Sequence, residues 1–162
     1  MSGYERRLAA LGLVLPPPLA LPAGVTLRFR WVNLRGERAY VSGHGPQMAD
    51  GSVAGPLGQL GGGVSVEQGY EAARLSALSM LGSLQRALGD LDRITGWCRV
   101  HGMINAAPGF TDTPLVLNGF TDLILDVFGP EVGAHARTAV GVAALPHDMP
   151  VEIEAELLVR PG

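Results

Sequence analysis

The groups able to do chemistry in this chain are few. Arginine supplies all twelve of its fixed positive charges, against fifteen acidic residues, and there is no lysine. A Schiff-base lysine and the lysine of a GxxxxGK phosphate loop are therefore excluded. Cys98 is the single cysteine, which rules out an intrachain disulfide and a cysteine-based zinc cage. His44, His101, His135 and His147 lack the short spacings of metal ligands, so neither a metal nor a cofactor is expected. What remains is a charged pair near the C-terminus, Arg137 and Glu152, each near the start of a strand-like segment. A guanidinium meets a carboxylate through a planar fork and keeps its charge, and a glutamate within reach of a water can take its proton.

The elements that position this pair are legible in the alternation around it. Val151, Ile153, Ala155, Leu157 and Val159 alternate with Glu152, Glu154 and Glu156, the pattern of a half-buried strand. Before it, Thr138, Val140, Val142 and Ala144 carry the bulk, while Arg137, Ala139 and Gly141 fall on the other face. With Leu145 to Pro150 as a connecting turn, a hairpin with Ala144 opposite Val151 places both apolar sets on one core and both charges on the polar face. The two charges then sit roughly 20 Å apart along the strands and do not touch within one chain. Either solvent wets that face, or another copy of the chain covers it and brings its own Glu152 towards this Arg137.

Upstream, Tyr4 to Leu11 reads as a short amphipathic helix followed by a stiff connector at Pro16, Pro17 and Pro18. Arg6 and Arg7 before an apolar run resemble a signal peptide, but the run is short and ends in prolines, and nothing approaches a bilayer span. Thr26 to Asn33 and Glu37 to Gly43 read as strands joined at Arg35-Gly36, and Gly45 to Gly63 as a long loop. Ser65 with Gln68 forms a capping box for a helix whose Leu75, Leu78, Leu81, Leu84 and Leu88 recur at helical spacing up to Gly89. Ile94 to Ile104 is the next strand, and Thr113-Pro114 opens a second helix ending at Gly129-Pro130.

The expected order is ββ, α, β, α, ββ. Residues 1–25 form an N-terminal helix and connector, and 26–162 a single α+β domain. The chain's 162 residues suffice for one core, and 47% apolar content argues against disorder despite 23 glycines. A net charge of -3 without a basic stripe makes nucleic acid an unexpected partner. The absence of a membrane span and of disulfides makes a soluble cytoplasmic protein the expectation.

The block Arg137 to Glu154 resembles the C-terminal signature of the Rid (YjgF) family of reactive-intermediate deaminases. The likeness extends through Tyr40 to His44, Glu71 to Arg74, Ala87 to Asp92, Ala107 to Asp112 and Asn118. The upstream blocks are similar to a branch of slightly longer bacterial members with no settled substrate. The resemblance implies a chorismate-mutase-like mixed sheet with two helices on one face and a homotrimer with ligand clefts between subunits. It implies that Arg137 clamps the carboxylate of a 2-imino or 2-enamino acid. Glu152 from the adjacent chain would activate the water that releases ammonia and a 2-keto acid, as in 2-iminobutanoate/2-iminopropanoate deaminases.

Ser42, Gly43 and Asn118 match ligand-lining positions of the family. Ala139 stands where deaminating members carry a cysteine, leaving its backbone N–H for a carboxylate oxygen. Phe29 stands where they carry a tyrosine, keeping an aromatic wall without the hydroxyl. The alternative is a non-catalytic trimer that binds a small carboxylate through the same arginine. A ribonuclease activity is disfavoured by the charge balance, and no feature supports a chorismate mutase.

Overall fold

The computed structural model describes residues 3–162. Ten elements follow the chain: α1 (Gly3–Ala10), β1 (Val32–Arg35), β2 (Arg38–His44), α2 (Val66–Leu88), a 3-10 turn (Leu91–Arg93), β3 (Ile94–Asn105), α3 (Thr113–Gly133), β4 (Ala136–Val142), a second 3-10 turn (Pro146–Asp148) and β5 (Val151–Val159). The sheet order is β1-β2-β5-β3-β4, with β3 parallel to β4 and every other neighbour antiparallel.

The helices form for local reasons. In α2, Ser65 and Gln68 cap each other's backbone N–H groups, and Gly89 closes the other end in the left-handed conformation at φ 78°. In α3, Pro114 sits in the first turn, and the regular helix breaks at Gly129 (φ 74°, ψ 173°) before Pro130. Both helices cover one face of the sheet, against a core of Leu81, Leu84, Val100, Ile104, Leu117, Phe120 and Ile153. Helix α1 docks at one end. Its first amides, Gly3 and Tyr4, donate to the Asp92 carboxylate at 2.7 and 3.0 Å, and the Tyr4 ring lies 4.4 Å from Phe128. The proline connector is tied down by Arg86 to the Pro16 carbonyl (3.1 Å) and by Gln47 to the Pro17 carbonyl (3.1 Å).

Three expectations are corrected. The first strand is only Val32–Arg35, and the stretch from Thr26 to Trp31 forms no ladder. The hairpin of β4 with β5 does not exist, because β3 lies between them: Gly102 pairs with Ala139 on one side and Ile153 on the other. A strand-helix-strand unit of β3, α3 and β4 sets β4 parallel to β3, and the connection from Ala143 to Pro150 steps over β3 to reach β5.

The third correction concerns faces. Thr138, Val140 and Val142 share the open face with Glu152, Glu154 and Glu156, while Arg137, Ala139 and Gly141 point at α3. Arg137 and Glu152 therefore lie on opposite faces. The cause is crowding on the helix side of the sheet: a Cβ on Gly102 would sit 2.5 Å from Leu117 of α3, and one on Gly141 would sit 3.1 Å from Ala106, just beyond β3. Ala139 and Gly141 sit on that crowded side, Arg137 runs along α3, and the remaining bulk of β4 turns outward.

Candidate functional site

Two half-sites are built separately. At the first, the Arg137 guanidinium is held by α3: Nη1 donates to Thr121 Oγ1 (2.9 Å), and Nη2 donates to Asn118 Oδ1 (2.8 Å) and to the Pro114 carbonyl (3.3 Å). Positions 114, 118 and 121 lie on one stripe of the helix, which is why one side chain reaches all three. His135 Nδ1 donates to the Gly133 carbonyl (2.7 Å), so Nε2 accepts from the Thr121 hydroxyl (3.1 Å). Burial, with Arg137 nearby, holds the His135 pKa below its ordinary value, which keeps the ring a neutral acceptor. Ala139 lies two residues along β4, with its carbonyl receiving Thr113 Oγ1 at 3.1 Å. Thus Arg137, Asn118 and Ala139 come together at an edge strand whose outer side pairs with no described strand.

The second half-site gathers Phe29, Ser42, Gly43 and Glu152 around a cavity of about 600 Å³. Gly43 is required there by contact: a Cβ would lie 2.6 Å from Glu152 Oε1. The β2-β5 register shifts between Val41 and His44, which seats Gly43 against that carboxylate. Ser42 is pinned by its amide to the Trp31 carbonyl (3.0 Å) and its hydroxyl to the Arg30 carbonyl (2.8 Å). Glu152 is half-buried, and burial, followed by the neighbouring Glu154 charge, raises its pKa above the ordinary glutamate value. A carboxylate so placed is a stronger base than an exposed one.

Sequence reasoning missed two residues here. His44 is 4% exposed: its Nδ1 donates to the Ser42 carbonyl (2.7 Å), and Nε2 accepts from Ser83 Oγ (2.9 Å). Trp31 packs on its ring at 5.0 Å. Nothing local marks either residue, since His44 depends on Ser83 of α2 reaching the end of β2, and Trp31 on His44. Burial lowers the His44 pKa to about 4. The unfolded ring takes its proton near pH 6.5 and the folded one only near pH 4, so the folded state loses stability as pH falls through that window. A loss on the order of 3 kcal/mol is expected from this ring. Glu152, with a raised pKa, acts in the opposite sense. Urea unfolding at pH 7 and pH 4.5 should show the loss in the wild type and a smaller one in His44→Gln.

Within the chain the two clusters do not meet. Arg137 is level with Val100 of β3 and Glu152 with Met103, two strands and three residues apart, or about 14 Å between backbones. Among the described residues no group of three His, Cys, Asp or Glu side chains is arranged to hold a metal, and no helix is long and apolar enough to cross a membrane.

Residues 5–153 match the profile of a family described as "YjgF/chorismate_mutase-like, putative endoribonuclease". Protein TCP17 of Trypanosoma cruzi is 44% identical over 140 residues, covering 85% of this chain and 86% of that protein. The crystal structure of Atu1372 from Agrobacterium tumefaciens, a protein of unknown function, superimposes with a TM-score of 0.85 at 35% identity, over 98% of this chain and 92% of that one. A Shewanella oneidensis protein described as a "putative endoribonuclease" also gives a TM-score of 0.85, at 30% identity over 96% and 99% of the two chains.

Proposed function

This chain belongs to the YjgF/chorismate-mutase-like family, and on that premise we propose that it hydrolyses reactive 2-imino and 2-enamino acids to 2-keto acids and ammonia. The site is a cleft between subunits of a homotrimer. The observation that carries this reading is the separation of two prepared half-sites: a guanidinium braced by α3 on one face, and a raised-pKa glutamate over Gly43 on the other. Neither is complete alone, and a second copy of the chain supplies what each lacks.

Arg137 binds the substrate carboxylate by charge and by the N–H groups not spent on Thr121, Asn118 and Pro114, and its braces hold the guanidinium in place before the ligand arrives. Glu152 of the adjacent chain accepts a proton from a water whose oxygen bonds to the imine carbon. The substrate enters as the protonated imine, so the C=N π electrons move to its nitrogen and give a neutral carbinolamine. Glu152 then returns its proton to the nitrogen and takes up the hydroxyl proton as the O–H electrons form the carbonyl and the C–N bond breaks, so that ammonia leaves, a 2-keto acid remains, and the last proton passes to the ammonia as ammonium. The step needs no oxidant or reductant. Phosphodiester cleavage is the weaker reading, because Glu152, Glu154 and Glu156 form an acidic row on the open face and the net charge is -3.

The test generates 2-iminopropanoate in situ with an amino-acid oxidase and follows its removal in competition with semicarbazide. Wild type should suppress the semicarbazone, and Arg137→Ala and Glu152→Gln should not. Equal rates in all three would defeat the reading. If the wild type binds 2-keto acids without turning over any imine, the non-catalytic trimer is correct.

The pH profile gives a further expectation. Activity requires ionised Glu152, so the acid limb should lie above the ordinary glutamate range. Glu154→Gln removes the charge that adds to the shift and should move that limb to lower pH, although burial, the larger cause, remains. The measurement is kcat/KM from pH 4 to 8 for both proteins.

A further inference from the structure

The cavity beside Glu152 extends away from the carboxylate along a wall that the family's catalytic pair does not explain. That wall is the segment running from Leu19 to Trp31, and the cavity is lined by Leu21, Val25, Leu27, Phe29, Trp31 and, from across, Met149. The segment is positioned by backbone contacts: Ala20 N–H donates to the Gly51 carbonyl at 3.1 Å, and Val25 N–H closes a turn on Pro22 at 3.2 Å. Leu21, Val25 and Phe29 keep 40%, 51% and 52% of their surface exposed. Large apolar groups held open around a concave space that ends at one carboxylate are the makings of a side-chain pocket.

Resting on the deaminase reading, we infer that this chain selects 2-imino acids with a large branched or aromatic side chain over those with a methyl or ethyl group. Four directions leave the reacting carbon. The carboxylate goes to the partner's guanidinium, the attacking water and the imine nitrogen lie at Glu152, which exchanges protons with both, and the side chain faces the cavity. A volume of about 600 Å³ is far more than a methyl group fills. Its buried polar lining is already engaged: His44 with Ser83 and the Ser42 carbonyl, and Ser79 with Gln47. A polar side chain would find few free partners, whereas each methylene buried there contributes about fourfold in affinity. The three extra carbons of 2-imino-4-methylpentanoate over 2-iminopropanoate should give roughly fiftyfold in kcat/KM.

The experiment compares kcat/KM for those two imines, each generated in situ, in wild type, Val25→Trp and Leu27→Trp. Both substituted positions are at least partly exposed, and the new rings fill the cavity. The expected result is a wild-type ratio above ten that falls at least fivefold in either variant. A wild-type ratio near one, with both imines hydrolysed, would overturn the inference while the deaminase reading stands, and would assign the apolar wall to packing against another copy of the chain. A high ratio that neither variant lowers would overturn it as well. If neither imine is hydrolysed, the deaminase reading fails, and thermal shifts with 4-methyl-2-oxopentanoate and pyruvate decide the cavity alone. A larger shift for the first, lost in the variants, sustains the pocket, and equal shifts refute it.

Discussion

Subunits carrying Arg137→Ala and subunits carrying Glu152→Gln, each inactive alone, should recover about a quarter of wild-type imine hydrolysis when mixed in equal amounts and reassembled. Each substitution by itself should lower kcat/KM by about 10²–10³, the range found when a transition-state charge partner or a general base is removed. The recovery follows from where the residues sit. Arg137 faces α3 and Glu152 the open face, with β3 between their strands, so the proposed site, which uses both, draws its arginine from one copy and its glutamate from the next. In a ring assembled at random, half the sites receive an intact arginine, and half of those meet an intact glutamate. A mixture no more active than its components would show that both groups act within one chain, or that neither acts. Size-exclusion chromatography of the mixture distinguishes failed assembly from failed complementation.

The largest expected loss of stability is at Gly119. A Cβ there would lie 2.0 Å from the Tyr70 carbonyl oxygen, which is backbone of α2 and has no rotamer to yield. Gly119→Ala must push α3 away from α2 along the contact that carries much of the core, including Leu117, Phe120 and Leu123. Overpacking of this kind costs about 3 kcal/mol. The damage should reach the site too, since Asn118 and Thr121 flank Gly119 on the helix and brace Arg137. Gly96→Ala is the control: its Cβ meets only Leu158 at 3.9 Å. Urea midpoints at a fixed protomer concentration check both, and equal midpoints would mean that the two helices separate without loss.

Much of this arrangement is local and can be read from the chain. The capping box at Ser65, the leucines from Leu75 to Leu88 and the stop at Gly89 define α2 because each of those interactions lies within one or two turns. The same holds for Pro114 and Gly129 around α3, and for the alternation of β5. The candidate residues were legible as types: an arginine, a glutamate, and a Ser-Gly pair at a strand end. Gly43 reads as an ordinary glycine, however, until Glu152 is found against it.

What the chain alone determined was therefore the elements and the chemistry they carry, since hydrogen bonds and side-chain periods act over a few residues. Strand order, the face each strand turns to the helices, and the cavity wall from Leu19 to Trp31 were decided only in the folded molecule. The bulk of β4 suggested a buried face and found an open one, because the packing distance on the helix side leaves little room at Ala139 and Gly141, while Arg137 runs along α3. That distance is set by side chains far apart in sequence, and no local pattern encodes it.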